Sequence, residues 1–329
     1  MERFTNWLSA CGCVVLLMVA SLTARGPSSA GERFCPDARV EPVLDFTFGA
    51  AEGVALSRRG DVFAGNINTG EVWWAPRGDF RRASVLVDLL PTEAPLNFLL
   101  GMEAANDGTL YVALNALVDP GLHGLWKIRL DGTAEMAAAF PPFFQSLIND
   151  VAIDRRGNIY VSDSLRGAIW RLATDGRLDI WSDSDLLKGP IHPVFGIPFG
   201  VNGLAYHQGA LYAAMYLDGR VVRVPIRHDG SAGDAEVIAA DPDLIGADGI
   251  ELDAAGNIYV AVNDADKLVR IRHRDLQIET IVSEGLSAPA SLAVDPRRKI
   301  IYVANLGTSS PSPKPHAPAL VRVTLCVGQ

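Results

Sequence analysis

Six times along the chain, a short apolar run, a tight polar turn and an aromatic-centred second run follow in that order. The copies are EGVALSRRGDVFAGN from 52, LGMEAANDGTLYVAL from 100 and NDVAIDRRGNIYVSDS from 149. They continue as NGLAYHQGALYAAMY from 202, DGIELDAAGNIYVAVN from 248 and ASLAVDPRRKIIYVAN from 290. Successive copies start 42 to 53 residues apart, the spacing of a four-stranded propeller blade. Turn residues between β-rich runs predict a hairpin in each copy. A third run follows in every copy: GEVWWAP, GLWKIRL, AIWRLAT, RVVRVPI, KLVRIRH and ALVRVTL. Weaker fourth runs are visible as SVLVDLL and EVIAA. No segment carries a sustained 3.6-residue apolar period with helix caps, so helices should be few. The pattern predicts an all-β fold, a six-bladed β-propeller.

A ring of blades must close, because an open sheet edge invites pairing with other chains. The last copy runs out of chain after ALVRVTLC, and ARVEPVLDFTF (38–48) offers the missing outer strand from the N-terminal side. One propeller domain is therefore expected over residues 31–329. Residues 1–30 read as a signal peptide: Arg3 supplies charge, CGCVVLLMVASLTA the apolar run, and SSA before Gly31 a small-residue cleavage site. That run is short for a membrane span. LSAC at 8–11 imitates a lipoprotein box but precedes the apolar run. The expected protein is exported, periplasmic or secreted, with no stable membrane span.

Of four cysteines, Cys11 and Cys13 fall within the signal, leaving Cys35 and Cys326 near the two ends. In an oxidising compartment these two are expected to pair and staple the ring; two free thiols are the alternative. With 49% hydrophobic and 20% charged residues a large core is feasible, and a net charge of −9 argues against a nucleic-acid surface.

Each copy opens at the place where a propeller's innermost strand begins to line the central channel. The six openers are Glu52, Leu100, Asn149, Asn202, Asp248 and Ala290. Four of them offer side-chain oxygen, two as carboxylates and two as amides. Converging on one axial point, Glu52, Asn149, Asn202 and Asp248 would suit a hard divalent cation such as Ca2+. Turn chemistry alone also places Asn and Asp at strand starts.

The stretches AEGVAL, INDVAIDRRGNIYVSD, VNGLAY and ADGIELDAAGNIYVA resemble the four signature strands of the regucalcin/gluconolactonase family, whose architecture diisopropyl fluorophosphatase and the paraoxonases share. The resemblance covers essentially the whole chain after the signal. It implies a six-bladed propeller with one divalent metal at the top of the channel, held by Glu52, Asn149, Asn202 and Asp248. Asp150 follows Asn149 as in the family's Asn-Asp pair and is expected behind the ligands. The terminal cysteines resemble the paraoxonase seam disulfide. The slots matching the paraoxonase histidine dyad hold Leu100 and Asn115. The sugar-holding arginine of gluconolactonase-type members has no clear counterpart before Asn149.

These residues point to a hydrolase of lactones or related esters, with a cation polarising the substrate oxygen. Asp248 is the candidate general base or nucleophile, a pure ligand role being the alternative. Three apolar loops precede channel strands: PLNFLL (95–100), FPPFFQSLI (140–148) and HPVFGIPFG (192–200). They nominate Phe98, Leu100, Phe144, His192 and Phe195 as pocket residues for an apolar acyl or ring system. Packing of the loops on themselves is the competing explanation, and His192 is at most a helper in proton transfer. GTSSPSPKPHAPA (307–319) reads as an exposed Pro-rich insertion. A ligand- or protein-binding propeller and a strictosidine-synthase-like enzyme are the other readings.

Overall fold

The computed structural model describes residues 38–46, 49–90, 97–193, 196–307 and 318–325. Within them the six repeats form six antiparallel four-stranded sheets, with strand order running 1-2-3-4 outward in blades I to V. The innermost strands are Ala51–Leu56, Asn97–Ala104, Ile148–Ile153, Val201–His207, Ala247–Leu252 and Pro289–Asp295. Helical structure among the described residues is limited to six three-residue 3-10 turns.

Turn chemistry explains why the first two strands of a blade close so tightly. In blade III, Asp154 Oδ1 accepts the backbone N–H groups of Arg156 (2.8 Å) and Asn158 (2.9 Å). Its Oδ2 accepts the Asn158 amide and the Tyr160 hydroxyl. Blade V repeats the arrangement with Asp253, Ala255, Asn257 and Tyr259. One aspartate thus satisfies the turn backbone and anchors the aromatic ring at the centre of the second strand.

The apolar interior consists of layers between neighbouring blades. Tyr160, Ile169 and Trp181 of blade III pack on Leu204, Leu211 and Val222 of blade IV. Equivalent layers join the other pairs, including blades I and VI through Ala51, Val54, Tyr302 and Leu320. Interdigitation of facing sheets removes both apolar faces from water, the main driving force for closing the ring.

The N-terminal strand Arg39–Asp45 completes blade VI by pairing antiparallel with Ala319–Thr324, from Arg39 opposite Thr324 to Asp45 opposite Ala319. An Arg322–Glu41 ion pair crosses this seam. The closure expected from the sequence is the one formed. Cys35, Cys326, residues 1–30 and most of the Pro-rich insertion lie outside the described residues.

One feature recurs in all six innermost strands. Between Ala51 and Val54 the inner strand advances three residues while its partner advances two, from Asn66 to Ala64. The same extra residue occurs at Leu99/Met102, Ile148/Val151, Val201/Leu204, Ala247/Ile250 and Pro289/Ser291. Every opener named above sits inside this bulge. A bulge takes a residue out of the ladder and re-aims its side chain, so a repeated core strand can carry a polar group without forcing it between sheets.

Candidate active site

The residue after each opener shows how closely the strands crowd the axis. A Cβ on Gly53 would stand 2.4 Å from the carbonyl oxygen of Leu100, and one on Gly203 2.2 Å from that of Asp248. Gly101 faces Asn149 and Asp150 in the same way, and Gly249 faces Ala290. Glycine is therefore required at four of these six positions. Blade III carries Asp150 there instead. Its Oδ2 accepts the Leu204 N–H (2.8 Å) and its Oδ1 accepts the Val151 N–H (2.8 Å), tying blade III to blade IV. At this junction the Ser162 hydroxyl donates to the Asn202 carbonyl oxygen at 2.6 Å.

Glu52, Asn149, Asn202 and Asp248 are all buried, between 3% and 8% exposed. Glu52 is held well above the ordinary carboxylate range by burial first, then by the charges of Asp248 and Asp150. Asp248 is raised by burial and by Asp150 and Asp264, against the hydrogen bonds of Asn263 and Asn202. Asp150 is raised to about 7 by burial, with its backbone hydrogen bonds opposing. Burial thus raises all three carboxylates, and the charge of Asp150 adds to it at Glu52 and Asp248. Each would lose its strain if positive charge were added.

The two opener amides are held by hydrogen bonds from their nitrogens. Asn149 uses its Nδ2 on the Ser164 hydroxyl, 3.1 Å away, and Ser164 in turn donates to the Val201 carbonyl. Asn202 hydrogen-bonds Asp248, a contact in which only the amide nitrogen can donate to a carboxylate, and its Oδ1 is buried without a partner. Glu52 Oε2 is likewise buried without a partner. Unpaired buried acceptors are costly, and an oxygen-only set of two carboxylates and two amides matches what a hard cation takes. Among the described residues no three His, Cys, Asp or Glu side chains stand together as a metal-binding group.

Two supporting residues escaped the sequence reading. Asn263 Nδ2 donates to Asp248 Oδ2 at 3.0 Å. Ser164 and Asn263 each lie 15 residues beyond the opener they support. Both are polar residues directly after a second strand, so the repeat alignment contained the signal. Asn115 is occupied elsewhere: its Nδ2 donates to the Ile148 carbonyl (2.6 Å) and its Oδ1 accepts the Ile148 N–H (3.1 Å). It braces the strand that carries Asn149.

At the same end of the ring, Ile67, Phe98, Leu100, Leu147, Phe199 and Tyr216 form a buried apolar layer. Phe98 packs against Phe143 with ring centroids 6.3 Å apart. Phe144, the next residue, turns outward and is 58% exposed. Buried His192 stacks edge-on with Phe199, which stacks on Tyr216, whose hydroxyl donates to Asp264. Burial lowers the His192 pKa. Phe195 lies outside the described residues.

Further along the axis a cavity of about 200 Å3 is lined by Glu103, Asp150 and Glu251 among aliphatic side chains. Glu103 is raised well above its ordinary value by burial, then by Glu251 and Asp150. Glu251 is raised to about 7, again chiefly by burial.

Fold and site together define a six-bladed propeller with an acidic, oxygen-lined channel mouth. Solved structures with this architecture include a gluconolactonase from Xanthomonas campestris, 18% identical, with TM-score 0.65 over 89% of this chain and 91% of that one. A luciferin-regenerating enzyme is 16% identical, with TM-score 0.65 over 87% and 95%. Virginiamycin B lyase from Staphylococcus aureus is 13% identical, with TM-score 0.57 over 88% and 99%. At such identities the shared property is the fold. No family model matches the sequence, and no curated protein does. The resemblance to gluconolactonase-type propellers is thus carried by architecture.

Proposed function

We propose that the protein is an exported hydrolase of lactones or related esters, working with a divalent cation held by Glu52, Asn149, Asn202 and Asp248. The observation that carries this reading is the pair of unpartnered buried oxygens, Glu52 Oε2 and Asn202 Oδ1, beside carboxylates raised first by burial and then by neighbouring negative charge. The donors favour Ca2+. When bound, such a cation would polarise the ester or lactone oxygen and stabilise negative charge developing there.

The chain's own groups supply the rest. Asp248, raised by its surroundings, is suited to accept a proton from water or to attack the carbonyl carbon. Asn263 fixes one of its oxygens and so sets the direction of the other. Asp150 holds the strands of blades III and IV in register. The layer containing Phe98, Leu100, Phe199 and Tyr216 supports a substrate with an apolar acyl chain or ring over a polyhydroxylated sugar.

The test is a panel of lactones, aryl esters and organophosphates assayed with Ca2+ or EDTA on wild type and Asp248→Asn. Turnover is expected only with the cation and only with the carboxylate. Metal-independent turnover overturns the reading. Ligand retention without hydrolysis under any condition favours a binding platform. Glu52→Gln provides a second readout: it should raise the melting temperature in EDTA and abolish the stabilisation that Ca2+ gives the wild type.

A further inference from the structure

The end of the ring opposite the openers carries positive charge. Each innermost strand starts at the channel mouth and ends in a turn on that face. In blade I the turn contains Arg58 and Arg59, and in blade VI Arg297 and Arg298. The two turns border one cleft of about 270 Å3, lined by all four arginines and Asp295. They lie close together: a Cβ on Gly60 would be 3.9 Å from both terminal nitrogens of Arg298.

Arginines elsewhere on the ring mostly face carboxylates on an adjacent strand or turn, as in Arg171–Asp179, Arg223–Glu236 and Arg270–Glu279. Arg58, Arg59 and Arg297 form no ion pair with any described residue. Asp295 is already engaged. Its Oδ1 accepts the N–H groups of Arg297 and Arg298, and its Oδ2 lies 3.5 Å from Arg298 Nη1. Arg298 also donates to the Arg77 carbonyl at 3.0 Å, which fixes its guanidinium at the cleft wall. Four guanidiniums against one carboxylate leave the cleft strongly cationic, although the whole chain carries a formal charge of −9.

We propose that this cleft is an anion site that takes a phosphate group. Guanidinium forks match the tetrahedral oxygens of phosphate in pairs, and arginines from two blades reach such a group from two sides. Concentrated positive charge on an acidic protein persists most readily where a partner of opposite sign compensates it. The site is independent of the channel mouth. An anion held there leaves the openers and the apolar layer free, at the far ends of the same strands.

Inorganic pyrophosphate titrated by calorimetry at low ionic strength tests the proposal on the full mature chain. Wild type should bind, and binding should weaken as NaCl is added. The pair Arg59→Gln with Arg297→Gln should lose binding with an unchanged melting temperature. Arg177→Gln with Arg227→Gln, an equal loss of charge at exposed sites elsewhere, should bind as wild type does. Flotation with phosphatidylglycerol vesicles, against phosphatidylcholine, identifies the source: flotation assigns the phosphate to a lipid headgroup, and pyrophosphate binding alone to a free anion. No binding of either probe by wild type, or an equal loss in the control pair, overturns the proposal.

Discussion

Glutamine in place of Glu251 isolates the energetics of the inner cavity. The side chain is half-buried among Met102, Leu204 and Ile250, and its Oε1 accepts the Leu252 N–H at 2.8 Å. An amide keeps that acceptor and removes the charge. The folded carboxyl is raised from 4.5 to about 7. Below pH 4.5 both folded and unfolded states are protonated and the group contributes nothing. Between that value and about 7 the unfolded chain releases its proton first, so wild-type stability falls as pH rises through this window. Above it the cost is complete. At about 1.4 kcal/mol per pH unit the ceiling is about 3 kcal/mol. Partial exposure of the half-buried side chain screens the charge, which leaves about 1–2 kcal/mol. Glu251→Gln should therefore match wild type near pH 4 and gain about 1–2 kcal/mol by pH 8, or roughly 2–6 °C in melting temperature. Urea unfolding from pH 4 to 8.5 in EDTA measures it. A pH-independent difference, or a variant weaker than wild type at pH 8, would refute the buried-charge reasoning.

Three further outcomes follow from the site. Asn263→Ala removes the donor to Asp248 Oδ2 and should weaken Ca2+ binding about 10-fold or more by calorimetry, with Ser164→Ala acting similarly through Asn149. Asn115→Leu strands the N–H and carbonyl of Ile148; denaturant unfolding should show a loss of about 2–4 kcal/mol. Gly203→Ala sets a methyl against the Asp248 carbonyl oxygen; the strands must part, so Ca2+ affinity should fall more than overall stability does.

Much of this architecture was legible because the repeat is local. A central aromatic marks every hairpin, four of the six turns pair an aspartate with a glycine within a few residues, and the exhausted last copy pointed to residues 38–48 for its fourth strand. The openers could be aligned for the same reason. The bulge that aims them could not be read, since it depends on counting residues in two partnered strands at once. Asn115 was assigned only by its matching slot, because its partner Ile148 is 33 residues away. The inner carboxylates left a trace that went unread. Three residues beyond the opener, four copies place Ala55, Ala152, Ala205 and Ala293, whereas two place Glu103 and Glu251.

The glycines beside the openers have a consequence for how the aperture is calibrated. At three of six junctions its bore is gauged by main chain meeting main chain, and at a fourth Gly101 meets the Asp150 carboxylate. Exchanging one donor for another would alter the charge at the throat while its diameter stayed the same. A lineage of such rings can thus vary its chemistry without re-machining the opening.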